Sequence, residues 1–170
     1  MRKYLVFCLL FMAGLQVQAQ FTQAEVSVNG LTCSQCSRSV EMALKRLDFI
    51  SKVEMDLQQP TAHIVFKKNK AIDFEKLAVA VRDAGFNVRA IKASYKQEKA
   101  MEDVCFTSGR QLYYSVNSKS AKQGDLKLLL LGKGMISDTE LKKYQANDWV
   151  KAPECPTTLS NRVPYLILNP

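Results

Sequence analysis

Two cysteines three positions apart, Cys33 and Cys36, are the residues of this sequence best suited to chemistry. The spacing lets one sulfur sit in a loop and the other enter the first turn of a helix, so both can aim at one point. A helix N-terminus offers unpaired N–H groups and a positive dipole end, which favours thiolate over thiol. Thiolate is the form that binds soft metal ions. Two thiolates suit Cu(I) or another soft ion, whereas Zn(II) normally takes four ligands. The neighbours Thr32, Ser34, Gln35 and Ser37 bring no His, Asp or Glu, so the expected metal ligands are Cys33 and Cys36 alone. The same pair also fits a thiol–disulfide redox protein. That fold usually sets an aromatic residue and a proline beside the cysteines, and neither is present here.

The elements that must position this pair follow from the spacing of apolar residues. Residues 24–28 alternate, with Val26 and Val28 on one face, and predict a strand. Over 37–47, Val40, Ala43, Leu44 and Leu47 recur at i, i+3, i+4 and i+7, the stripe of an amphipathic helix. Residues 50–57 and 62–66 read as strands joined through Gln58-Gln59-Pro60-Thr61, a hairpin turn by composition. Asp73 is placed to cap a helix over 74–84 with the stripe Phe74, Leu77, Val81 and Ala84, and Gly85 is placed to end it. Residues 87–93 supply a last strand. Met42 and Met55 fit the core pattern, and His63 falls on the strand face opposite Ala62, Ile64 and Phe66. The order β-α-β-β-α-β predicts an α+β, ferredoxin-like sandwich: two helices on one face of a four-stranded antiparallel sheet. Lys67-Lys68-Asn69-Lys70 reads as a solvated turn with the charge to steer an acidic partner.

Gly30-Leu31-Thr32-Cys33-Ser34-Gln35-Cys36, followed by Val40 and Leu44, resembles the heavy-metal-associated domain of copper chaperones and of the N-termini of copper-transporting ATPases. Asp83-Ala84-Gly85-Phe86-Asn87-Val88 is similar to that family's stretch before the last strand. The resemblance runs from about residue 25 to about residue 93. It implies the same βαββαβ fold, Cys33 and Cys36 as ligands, and Phe86 packed beneath the site. It also implies a metal-donor or acceptor protein such as a transporting ATPase as partner, and binding and transfer rather than enzymatic turnover. Leu31 stands where the family usually has Met, a core position where the exchange nearly conserves volume. Exported members of the family include mercury scavengers, so Hg(II) stands beside Cu(I) as cargo. Zn(II) is a further candidate.

Arg2 and Lys3 precede a twelve-residue apolar run, residues 4–15, too short for the about 20 residues that span a bilayer. With Gln16-Val17-Gln18-Ala19 after it, this is the layout of a secretory signal peptide over 1–19, and it predicts an exported protein, periplasmic or secreted. Removing 1–19 takes away Arg2 and Lys3 and leaves 22 basic against 16 acidic residues, a net charge of +6. No stable membrane insertion is expected after that removal. A 47% hydrophobic, 24% charged composition excludes a disordered chain. There is no nucleic-acid-binding motif.

The rest divides into a heavy-metal-associated domain over 20–95, a Lys- and Gln-rich linker over 96–103 and a small α+β C-terminal unit of no recognised family over 104–170. Within that unit, 111–116 and 125–131 read as strands, Ser137-Asp138-Thr139-Glu140 as a capping box, and 163–168 as an edge strand. Tyr113, Tyr114 and Trp149 read as core or interface. Cys105 and Cys155 flank almost all of it and are expected to form a disulfide, in an export compartment that allows one. By chain entropy, that bond would stabilise the unit by about 4 kcal/mol.

Overall fold

The structure, a computed structural model, describes residues 21–97 throughout, and beyond them 105–108, 111–116, 124–145 and 165–168. Strand β1 (Phe21–Asn29) leads to helix α1 (Ser34–Lys45), the hairpin β2 (Ile50–Asp56) and β3 (Thr61–Phe66), helix α2 (Phe74–Asp83) and strand β4 (Asn87–Gln97). These four strands lie in the order β2-β3-β1-β4, all neighbours antiparallel. This is the ferredoxin-like arrangement that the periodicity predicts.

The apolar residues explain the layering. Val26, Val28, Ile64 and Ile91 face the helices, and Val40, Leu44, Phe74, Leu77 and Val81 meet them in one buried core. His63 is exposed on the opposite face, between buried Ala62 and Ile64. Met55 packs partly against the core. Met42 does not, being 41% exposed. It lies off the stripe set by Val40, Ala43 and Leu44, so its apolar character alone misplaced it.

The connections use the expected chemistry. Asp56 Oδ1 accepts from the Gln58 and Gln59 amides, at 2.8 and 3.0 Å, and closes the β2–β3 turn. Asp73 Oδ1 accepts from the amides of Glu75 and Lys76 and caps α2. At the other end of α2, Phe86 N–H donates to Val81 O and Gly85 N–H to Arg82 O. That pair of bonds is a Schellman closure, and it requires the left-handed φ of +89° found at Gly85.

Strand β4 departs from expectation. It runs four residues past Ala93, so Lys96 and Gln97, expected in the linker, pair with Asp125 and Gly124. Their polarity masked them; a long-range partner strand, and not local propensity, holds them extended. The other linker residues, 98–103, lie outside the described residues. The partner is β7 (Gly124–Leu130), and beyond it the sheet continues through β8 (Tyr165–Leu168), β6 (Gln111–Val116) and β5 (Cys105–Ser108). The strands after residue 104 therefore extend the first sheet.

Strand β8 is not an edge. It lies between β7, antiparallel, and β6, parallel. Pro164 suggested an edge because proline lacks a ladder donor; the paired residues of β8 begin after it, at Tyr165. Helix α3 (Asp138–Gln145) has the capping contact foreseen, Glu140 N–H to Ser137 Oγ. Its Leu141 and Tyr144 pack against Leu129, Leu131 and Ile136. Tyr113 is fully buried, as expected of a core residue. Trp149 and Cys155 lie outside the described residues, and so does the Cys105–Cys155 pairing. No described helix is long and apolar enough to cross a membrane.

Candidate soft-metal site

The loop from Asn29 to Thr32 hangs between two fixed points. At its base, Asn29 pairs with Asn87 of β4, and Val28 N–H donates to Pro60 O of the hairpin at 2.9 Å. Gly30 then turns the chain with φ +82°; a Cβ there would meet nothing within 4 Å, so the backbone angle and not space calls for glycine. Thr32 N–H donates to Gly30 O at 3.0 Å, and the intervening Leu31 packs against the core and pins the loop from below. Phe86 also packs partly against the core, one residue before Asn87. The resemblance implied the core packing of Leu31.

Cys33 is the N-cap of α1, with extended backbone (φ −136°, ψ 154°), and its Sγ accepts from the Cys36 amide at 3.1 Å. The helix thus begins at Ser34, three residues before the predicted span of 37–47. A sulfur occupies the capping place usually held by Ser, Thr, Asp or Asn. Ser37, buried in the first turn, adds a bond that the sequence did not announce: its hydroxyl donates to Cys33 O at 3.3 Å, beside its own amide at 3.1 Å. Both bonds fix Cys33.

The two cysteines lie 5.3 Å apart at Cα and are joined as a disulfide in this structure. Cys33 is exposed and Cys36 half-buried. Opening the bond would leave two sulfurs side by side at the mouth of α1. No acidic residue lies in the first turn of α1. The nearest carboxylate on the helix, Glu41, is held between Lys45 and Arg38, whose hydrogen bonds keep it below the usual carboxylate range. Among the described residues no set of three or more Cys, His, Asp or Glu gathers as a metal site. His63, on the open sheet face, does not join the cysteines. The geometry offers two sulfurs and an open approach from solvent.

The sequence profile of the heavy-metal-associated domain matches residues 25–87. A probable copper-transporting ATPase, HMA5 of Arabidopsis thaliana, is 35% identical over 80 residues, which are 47% of this chain and 8% of that protein. The copper chaperone CopZ of Staphylococcus epidermidis is 29% identical over 68 residues, 40% of this chain and 98% of the chaperone. Among solved structures, a CopZ metallochaperone aligns at 24% identity with a TM-score of 0.37, covering 39% of this chain and 98% of its own. A copper-binding domain from the P-type ATPase HMA7 aligns at 35% identity, TM-score 0.37, covering 40% of this chain and 90% of its own. The chain spans only 5–11% of the length of the transporting ATPases it matches.

Proposed function

We propose, since the chain belongs through residues 25–87 to the heavy-metal-associated domain family, that it binds copper as Cu(I) through Cys33 and Cys36 and hands the ion to another protein. The observation that carries this reading is two sulfurs at one helix mouth, 5.3 Å apart at Cα, with no third ligand gathered beside them among the described residues. Two thiolates and no more match the low coordination of a soft monovalent ion.

The disulfide is the resting form in an oxidising compartment. Two reducing equivalents from a dithiol partner would open it, the partner becoming the disulfide and Cys33 and Cys36 the thiols. On binding, both thiols give up their protons, and the two thiolates hold the ion. Transfer then follows ligand exchange. An incoming thiolate adds to the two-coordinate centre, and a resident sulfur leaves after it; no substrate is turned over. Copper transport by curated relatives makes a copper-transporting ATPase the expected partner. The secretory leader that the sequence predicts over 1–19 would put this exchange outside the cytoplasm.

A second reading takes the observed disulfide as the working group of a redox protein. Titration of the reduced full chain with a bicinchoninate–Cu(I) complex separates the two. One ion taken up per chain, lost in Cys33→Ser/Cys36→Ser, supports the carrier. No uptake by the fully reduced protein refutes it, and catalysed reduction of a substrate disulfide would favour the redox reading.

A further inference from the structure

We propose that two copies of this chain pair edge to edge through strand β2 as a two-fold dimer. Among the described residues β2 forms one end of the sheet, so one row of its backbone N–H and C=O groups faces no further strand there. Such a row is a template for another strand. Strand β2 carries opposite charges two residues apart, Lys52 and Glu54, with side chains 60% and 62% exposed. Both lie on the open sheet face, Lys52 opposite Val65 and Glu54 opposite His63. Val53 between them is buried in the core on the helix side.

This spacing selects both the occupant and the register. A two-fold axis perpendicular to the sheet makes the two β2 strands antiparallel and keeps all the helices of the pair on one side. Side chains directly opposite then share a face, so the axis passes through a residue and not between two. Centred on Lys52 or on Glu54, it sets that charge against its own copy. Centred on Val53, it sets Lys52 of each chain opposite Glu54 of the other, twice. Asp56, the other carboxylate of β2, is already engaged by the Gln58 and Gln59 amides. A lysine on an edge deters foreign strands; a second copy in this register supplies its counter-charge. The ladder irregularity between Ile50 and Lys52 falls outside the three central pairs.

A second observation is independent of charge. Leu57 directly follows β2 and, at 71%, is the most exposed large apolar residue among those described. In the register centred on Val53 it comes beside residues 48–50 of the copy, so pairing covers apolar surface that a single chain leaves in water. Strand β2 runs towards its hairpin turn, which lies at the cysteine end, where Ser27 pairs with Thr61 and Val28 N–H donates to Pro60 O. The two-fold therefore points the two cysteine loops in opposite directions, and each stays open to a partner. The inference does not depend on which ion the sulfurs carry.

Sedimentation equilibrium tests it on the chain with Cys33 and Cys36 joined and with metal removed by chelator, so that no copper bridge between chains contributes. A strand-to-strand contact belongs to the small, weak class of interfaces, and the apparent mass is expected to rise from one chain towards two as concentration is raised. Lys52→Glu and Glu54→Lys, which move net charge in opposite directions, should each weaken self-association at least about tenfold. Mixed in equal amounts, the two variants should recover it, because every contact between positions 52 and 54 of unlike chains is again opposite in sign. A mass of one chain at every concentration overturns the proposal. So does self-association that both single variants retain, or a mixture no more associated than its components. Thermal melting of each variant shows that the fold is retained.

Discussion

The rings of Tyr113 and Phe21 lie 5.3 Å apart, although three strands separate β6 from β1 in the sheet. At about 4.8 Å per strand, a flat sheet would hold them near 19 Å apart. The sheet must therefore curl, bringing Tyr113 over the end of the sandwich, where it also meets Phe74 at 6.5 Å. Phe21, Phe74, Tyr95 and Tyr113 form one aromatic group built from both halves of the chain.

Replacing Tyr113 tests that shared core. A fully buried aromatic truncated to alanine costs about 3–5 kcal/mol. Tyr113→Ala should lower the denaturant midpoint of the whole chain in a single transition. A separate loss of structure beyond residue 104, with residues 21–97 unchanged in stability, would show instead that the halves melt independently.

The contrast between the halves explains how much was readable in the sequence. Residues 26–91 carry their own periodicity and caps: Val40 and Leu44 on α1, Asp73 and Gly85 at the ends of α2. Each is a local signal, and each held. Cys33 and Cys36 were legible for the same reason, as a short-range spacing. What escaped depends on distant partners. Lys96 and Gln97 are strand residues because β7 lies beside them, and β8 is interior because β6 accepts it in parallel. Nothing within five residues of either segment encodes that pairing. Cys33 as N-cap went unread because sulfur is not among the usual capping groups.

Gly30 gives a local test of the loop. With φ at +82° and open space where a Cβ would go, alanine there meets strain without a clash. Gly30→Ala should cost about 1–2 kcal/mol, the left-handed penalty for an L-residue. Asparagine, which tolerates that region better, should cost less. Equal destabilisation by both would mean that something other than φ demands glycine here.

Acid should weaken the fold through exposed carboxylates. Glu41, Glu54 and Asp56 all sit below their ordinary values in the folded chain: Glu41 through Lys45 and Arg38, Glu54 through Lys52, Asp56 through the amides of Gln59 and Gln58. A carboxylate depressed by folding contributes stability above its unfolded value, and that contribution is lost as pH falls through the folded one. Melting temperature should thus be insensitive to these groups from neutrality down to about pH 5 and decline below the ordinary carboxylate range of about 4. Glu41→Gln should flatten part of the decline. An unchanged acid limb in that variant would remove Glu41 from the account.

Copper should stabilise the protein only when the sulfurs are free. An ion bound by the folded chain and not by the unfolded one adds stability in proportion to the logarithm of its excess over Kd, about 2.7 kcal/mol at 100-fold excess. The disulfide-bonded chain has no thiolate to offer and should show no such gain. Melting in a chelator-buffered Cu(I) series, with reduced and oxidised protein side by side, measures the difference directly. A rise confined to the reduced form, absent in Cys33→Ser/Cys36→Ser, ties the gain to these two sulfurs. Equal rises in both redox forms would locate the bound copper elsewhere on the chain, because the joined sulfurs of Cys33 and Cys36 cannot ligate it as thiolates.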